Sequence, residues 1–309
     1  MNKPKLSIII ASYNSQNTIQ KCLESLENQI TGEIFEVIVV DSSTDNTASL
    51  VSEKFPQVKL YKFSERKFPG DARNIGVSKA EGEILAFTDA DCFVEPDWVN
   101  KIIEAHQKTE HPVIGGAVDN GNPESYVGWG YYFCEFSQWI PQTKECYFVD
   151  IPTTCLSVKR WAFEKYGPFL EGIYCSDSVF NWNLVQGGYQ PLFVPQIKVA
   201  HINIDDLRDF LERKVRHGRY FARVRISKMN FSWLQRIIYV MLSPLLPIIL
   251  FYRRAVNVFS KKMYIQQFIL ASPLVLLGLI AWSYGEVLGY LPSGDVKFSP
   301  NKNSSHLPT

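Results

Sequence analysis

Apolar runs alternate with amphipathic stretches over roughly the first 118 residues. The segments "LSIII" (6–10), "FEVIVV" (35–40) and "EILAFTD" (83–89) are short, rich in Ile and Val, and read as buried strands. Between the first two, Ile19, Cys22, Leu23 and Leu26 recur at i, i+3, i+4 and i+7, one face of a helix. "PDWVNKIIEAHQK" opens on Pro96, a residue favoured at the first helical position. Strands alternating with helices predict an α/β fold with a mostly parallel sheet covered on both faces. Residues 119–150 look aromatic and irregular, and 151–201 carry mixed signals. A dense basic helical pattern covers 206–228. Two stretches, 237–252 and 263–285, contain no charged residue. The tail 292–309 is polar, with Pro, Ser and Asn, and is expected to be disordered.

Composition narrows this picture. The 309 residues are 46% hydrophobic and 20% charged, enough for a substantial core. Lys and Arg number 32 against 31 Asp and Glu, a balance that points away from nucleic acid. The six cysteines form no CxxC pair and no zinc-type cluster, and read as reduced thiols of a cytosolic compartment. The N-terminal apolar run is too short for a secretory signal and reads as the first strand.

The candidate chemistry lies at strand ends. The first strand runs into "ASYN", the second ends in Asp41, and the third ends in Asp89-Ala90-Asp91. In open parallel sheets ligands bind beyond the carboxyl ends of strands, so these polar groups would gather along one edge. Asp89 and Asp91 suit one hard divalent cation, Mg²⁺ or Mn²⁺, which prefers oxygen ligands and keeps positions open for phosphates. The same two acids also suit an Asp N-cap followed by a solvated loop acid.

Four segments in this order carry a resemblance: "LSIIIASYN", "VIVVDSSTDNT", "GDARNIG" and "AFTDADC". Together they resemble family 2 glycosyltransferases, whose nucleotide-sugar-binding fold is called GT-A. The resemblance covers roughly residues 5–205. It implies an inverting transfer of a sugar from a nucleoside diphosphate donor to a hydroxyl, with Mn²⁺ or Mg²⁺. It implies donor-binding roles for Tyr13, Asn14, Asp41, Arg73 and Asp89, with Asp41 at the base edge, Arg73 at the nucleotide or phosphates, and Asp89 near the ribose. Asp91 would bind the metal. "GIYCSDSVFNWNLVQGGYQ" resembles the acceptor-side segment, where an acid usually precedes a second one. Here Ser176 stands in the first place and Asp177 in the second, so Asp177 is the expected general base. "FVPQIKVAHINI" ends in His201, expected as a third metal ligand or phosphate contact. His106 and His111 have no such setting and read as structural. The Gln-x-x-Arg-Trp run of processive members is missing, which implies single-sugar addition. A non-catalytic nucleotide-sugar-binding protein and a sugar nucleotidyltransferase are the alternatives.

The domain reading that follows is a GT-A catalytic domain at 1–205, a basic amphipathic helical region at 206–231, membrane-associated helices at 232–291 and the tail. Residues 263–285 give 23 uncharged residues, about 34 Å as a helix, which matches a bilayer core of about 30 Å. Residues 237–252 are short for a span and are broken by Pro244 and Pro247, so they are expected to dip into the membrane or lie in its interface; two full spans and a buried helical hairpin of a soluble protein are the alternatives. Basic residues flank both segments and place them on the cytoplasmic side. The basic helix is expected to hold the chain against anionic headgroups. A site at that surface implies a lipid-linked or glycan acceptor. The aromatic run 126–139 suits either sugar stacking or lipid, or else the core.

Overall fold

The computed structural model describes residues 3–291, so the tail expected to be disordered lies outside the described residues. The strands are β1 (Leu6–Ser12), β2 (Phe35–Asp41), β3 (Lys59–Lys62), β4 (Ile84–Asp89), β5 (Cys92–Val94), β6 (Val113–Asn120), β7 (Cys146–Tyr147), β8 (Leu156–Lys159) and β9 (Leu192–His201). The helices are α1 (Ile19–Glu27), α2 (Thr47–Lys54), α3 (Pro69–Lys79), α4 (Trp98–Lys108), α5 (Tyr126–Phe136), α6 (Arg160–Tyr166), α7 (Ser176–Gln186), α8 (Leu207–Met229), α9 (Trp233–Leu242), α10 (Leu246–Lys261) and α11 (Ile265–Tyr290).

One sheet runs in the order β3-β2-β1-β4-β8-β6-β9-β5, with β7 added on β9. The part from β3 to β4 is parallel throughout. Beyond β4 the sheet is mixed: β8 is antiparallel to both β4 and β6, whereas β6 and β9 run parallel. The central strands are apolar on both faces because helices cover both. Ile8 and Ile10 lie in one buried cluster with α1 and α4, and Ile9 lies in another with α6 and α7. Helix α1 buries Ile19, Cys22, Leu23 and Leu26, the face read from the sequence. Helix α4 starts at Trp98 with Asp97 as its N-cap, so Pro96 precedes the helix rather than opening it.

The register aligns the strand ends. Ser12 of β1 stands opposite Asp41, and Ala11 stands opposite Asp89. The edge expected from the sequence is therefore formed, and the helices that follow these strands start from it.

Residues 126–136 are not irregular. They form α5, which buries Trp129, Tyr131, Tyr132, Phe133 and Phe136. The aromatic run is core, because a helix with apolar residues on every side is stable only when covered on every side. Its neighbours are α8 and α11. Gly218 of α8 faces the Trp282 carbonyl, and Gly285 of α11 faces the Val215 carbonyl, where a Cβ would collide with backbone. These glycines let α8 and α11 approach closely, as small residues do at helix interfaces.

The C-terminal helices present apolar surface outward. Along α9 and α10, Trp233, Ile237, Met241, Leu245, Ile248, Tyr252, Val256 and Phe259 are exposed and follow helical spacing. On α11 a second exposed stripe contains Leu270, Leu277 and Tyr284. The stretches Trp233–Lys261 and Ile265–Tyr290 are each long and apolar enough to cross a membrane. The inner face of α11, from Phe268 to Tyr290, is buried against protein, so lipid cannot surround this helix.

Candidate active site

The strand edge opens on a cavity of about 820 Å³. It is lined by Tyr13, Arg73, Asp89 and Asp91 from the parallel half, by Asp150 of the loop after β7, by Asp177 of α7, and by His201. It continues past Arg213, Lys214 and His217 of α8 to Tyr239, Leu246 and Leu250 of the apolar helices.

Asp89 closes β4 and is tightly held. Its Oδ1 pairs with the Arg73 guanidinium at 2.6 Å, and its Oδ2 accepts from the Thr154 hydroxyl at 2.8 Å. Thr154 is within reach because β8, which pairs with β4, begins just after it. Burial pushes the Asp89 carboxyl up, but the Arg73 charge, that of His201 when its ring is protonated, and the two hydrogen bonds outweigh it, and the carboxyl stays below the ordinary range.

Asp91 and His201 are brought together by strand pairing. β5 is antiparallel to β9, with Cys92 opposite His201, and the Asp91 carbonyl accepts from the Ile202 N–H at 2.8 Å. His201 Nε2 then lies 3.5 Å from Asp91 Oδ1. The ring is clamped on its other side by Asn203, whose Oδ1 is 3.0 Å from Nδ1. The Asn203 amide nitrogen is engaged by Asn120 Oδ1 and by the His201 carbonyl, so its oxygen faces the ring. In the neutral ring Nδ1 therefore carries the proton and the Nε2 lone pair faces the Asp91 carboxylate. Two electron-rich atoms face each other there, and a cation between them would relieve the repulsion.

Asp89, Asp91, Cys92 and His201 offer ligand atoms within 4.8 Å of one another. The Cys92 thiol is pushed well above 9.0 by burial and by both aspartates, so it stays neutral. Two carboxylates and an imidazole remain, a donor set that suits Mn²⁺ better than Mg²⁺.

The other expected donor residues are placed less uniformly. Tyr13 is partly exposed at the cavity mouth, with the Arg66 guanidinium 4.3 Å above its ring. Arg73 lines the cavity but is 6% exposed and committed to Asp89. Asp41 is 2% exposed, does not line the cavity, and accepts from the Ser43 N–H and hydroxyl. Asn14 also lies outside the lining. It ties the loop after β2, with its Oδ1 accepting from the Thr44 N–H at 2.9 Å.

Asp177 lies in the first turn of α7, behind Cys175 in the left-handed region at φ 61. Its Oδ1 accepts from the Ser178 N–H at 3.0 Å and its Oδ2 from the Thr153 hydroxyl at 3.4 Å. A carboxylate there is favoured by the helix N-terminus.

The basic helix holds residues that the sequence reading assigned to a membrane surface. Lys214 is 2% exposed and pairs with Glu135 at 2.7 Å, and His217 Nδ1 lies 3.8 Å from the same oxygen. Burial opposes ionisation of Glu135, but Lys214 and His217 hold it far below the usual range. Arg213 lies over the Tyr131 ring and feels the charge of Asp91. The signal that could have shown this was the i, i+3/i+4 spacing of Arg213, Lys214 and His217, one face of a helix and not a uniform basic surface.

Residues 7–165 match glycosyl transferase family 2, over half of the chain. The chain belongs to that family. The family 2 pattern takes in β1, β2, the Ala-Arg-Asn segment and the Asp89–Asp91 turn. Among curated relatives, the chain is similar to succinoglycan biosynthesis protein ExoO of Rhizobium meliloti, 39% identical over 33% of this chain and 29% of that protein. It is also similar to a dolichyl N-acetyl-alpha-D-glucosaminyl phosphate 3-beta-D-2,3-diacetamido-2,3-dideoxy-beta-D-glucuronosyltransferase of Methanococcus voltae, 26% identical over 74% of this chain and 77% of that protein. The match spans about 30% of the length of the first curated relatives. Among solved structures, mannosyltransferase PcManGT from Pyrobaculum calidifontis, in complex with GDP-Man and Mn²⁺, aligns at a TM-score of 0.60. That alignment has 18% identity and covers 93% of this chain and 88% of the other. S. aureus TarS 1–349 with UDP-GlcNAc aligns at 0.53, with 17% identity over 91% and 90%. The family 2 chain therefore has the GT-A fold expected from its motifs.

Proposed function

We propose that this protein transfers one sugar, with inversion, from a nucleoside diphosphate sugar to a hydroxyl of a lipid-linked acceptor at the cytoplasmic face of a membrane. The observation that carries the reading is one continuous cavity, which joins Asp89, Asp91 and His201 to Asp177 and then to Tyr239, Leu246 and Leu250. The neighbours solved with GDP-Man and UDP-GlcNAc support a nucleotide-sugar donor, and the dolichyl-linked substrate in the name of the Methanococcus voltae relative supports the acceptor class.

In this reading Asp89, Asp91 and His201 hold Mn²⁺ or Mg²⁺, and Arg73 keeps Asp89 ionised and oriented. A metal bound there supplies positive charge for the leaving diphosphate. Arg213 stands beside Asp91 and adds fixed charge at the same place. Tyr13 and Arg66 form the wall that the base would meet. Asp177 takes the proton of the acceptor hydroxyl as its oxygen attacks the anomeric carbon. The apolar stripe of α9 and α10 lies in the lipid interface, with the exposed Arg253 and Lys262 toward headgroups, while Arg254 and Lys261 turn inward to the Cys134 and Gln138 carbonyls. The inner face of α11 stays on α8.

The test is transfer of radiolabelled sugar from a panel of nucleoside diphosphate sugars into butanol-extractable lipid by the purified full chain. Product in wild type, formed at least about 100-fold more slowly by Asp177→Asn, supports the reading. Tight donor binding with neither transfer nor hydrolysis would replace it with a nucleotide-sugar-binding role.

A further inference from the structure

Asp150 was not singled out by any sequence motif. It lies in the loop after β7, lines the cavity beside Asp177, and is held by the same helix. Its Oδ2 accepts from the Ser178 hydroxyl at 2.7 Å and its Oδ1 from the Asn181 amide at 2.7 Å. Ser178 thus serves two carboxylates: its hydroxyl bonds Asp150, and its backbone N–H bonds Asp177. The segment where an acid normally precedes Asp177 carries Ser176, which is buried against Gly70 of α3. A second carboxylate is present after all, contributed by a distant loop.

We propose that Asp150 is a positioning residue for the acceptor base, acting through Asp177 so that the two carboxylates take up the acceptor proton as one unit. This inference rests on the transferase reading. The acceptor O–H bond breaks and its proton passes to the pair. The acceptor oxygen bonds the anomeric carbon, and the bond to the diphosphate breaks with its electrons leaving on the diphosphate. Two neighbouring carboxylates raise each other's proton affinity, so the doubly ionised pair is a stronger base than either alone. Burial, followed by the Asp177 charge, pushes Asp150 up to about 7, and the bonds from Ser178 and Asn181 offset this only in part. A base with its proton affinity near the working pH is the efficient one.

On the N-terminal side of α7, Cys175 is a neutral thiol, held well above 9.0 by burial and by Asp177, Glu135 and Asp150. Across the cavity, Glu135 of α5 is locked to Lys214 of α8. Burial holds His217 of α8 below 6.5, so it is uncharged where the pair titrates. Arg213 stands over Tyr131. β6 approaches the loop through the apolar contact of Gly115 with Ile151, and its Asp119 is bonded by the Tyr264 hydroxyl.

The experiment follows the pH–rate profile of the full chain in detergent micelles. Donors are UDP-N-acetylglucosamine and GDP-mannose, and the acceptor probe is a short polyprenyl N-acetylglucosaminyl phosphate. Wild type should lose activity as pH falls through about 7. Asp150→Asn should move that limb down by at least about one unit and lower the plateau about tenfold or more, because the remaining base is weaker. Ser178→Ala removes a bond that favours ionised Asp150, so it should move the limb up. A rate loss in Asp150→Asn with an unmoved limb would overturn the proposal and leave a packing role. Carbon-13 labels on the aspartate carboxyls report the pair without substrate. One carboxyl should titrate near neutrality in wild type and in neither Asp150→Asn nor Asp177→Asn. Titration of every aspartate below about pH 5 would overturn the pair whatever the rates. A carboxyl titrating near neutrality in a wild type that transfers nothing would instead overturn the transferase reading.

Discussion

His201 presents Nε2 to Asp91 Oδ1 at 3.5 Å, while Asn203 Oδ1 sits 3.0 Å from the opposite ring nitrogen. The second distance explains the first, because Asn203 fixes the tautomer that leaves Nε2 free. Replacing Asn203 by Leu should weaken Mn²⁺ binding 10–100-fold, the usual worth of such an outer partner. Titration calorimetry with Mn²⁺ alone checks this, and undiminished affinity would show that the clamp is irrelevant.

Asp177→Asn should leave donor binding nearly intact and slow transfer by roughly 10²–10⁴-fold, the usual contribution of a general base. Parallel measurements of donor affinity and turnover separate this from a helix cap. Equal losses in both would mark Asp177 as structural.

Glu135 and Lys214 form a buried pair, so Glu135→Gln should cost about 3 kcal/mol by leaving an ammonium without its partner. The pH sign follows from the depressed carboxyl. A group lowered on folding contributes stability above its unfolded value of about 4.3, and that stability is lost as pH falls through the folded value. Wild type should therefore lose stability below about pH 4.3 more steeply than Glu135→Gln. Acid unfolding followed by tryptophan fluorescence tests this, and equal slopes would contradict it.

Much of the site was legible because strand ends are local in sequence. Asp89 and Asp91 close an apolar run, and the β1–β4 register then places Asp89 opposite Ala11 without further information. His201 could be anticipated at the end of "FVPQIKVAH", although its approach to Asp91 depends on the β5–β9 pairing. Asp150 was invisible, since nothing near it in the chain marks it, and Ser178 and Asn181 reach it across 28 and 31 residues. The inward turn of Lys214 was hidden by counting charge along α8 rather than by face. Helix α11 has the composition of a free span. The close approach of Gly218, Gly285 and Gly289 to facing carbonyls shows that one side belongs to α8.

The exposed stripe of α9 and α10 should act as the membrane contact. The double variant Met241→Glu, Ile248→Glu places two charges in it and should release the protein from phosphatidylglycerol-containing vesicles in a sedimentation assay, with the fold retained. A cysteine at Ser260, in a background without the native ones, should stay unlabelled by an impermeant thiol reagent on intact cells. Labelling from outside would show instead that Trp233–Lys261 crosses the bilayer.

The proposed donor site at Asp89, Asp91 and His201 depends on a metal. That dependence is tested most directly by thermal unfolding of wild type and Asp91→Asn, each with a panel of nucleoside diphosphate sugars and Mn²⁺. A donor at a hundredfold its Kd should stabilise wild type by about 2.7 kcal/mol, a rise of several degrees. No rise is expected in Asp91→Asn, or in wild type with a strong chelator. An undiminished rise in either condition would contradict the claim.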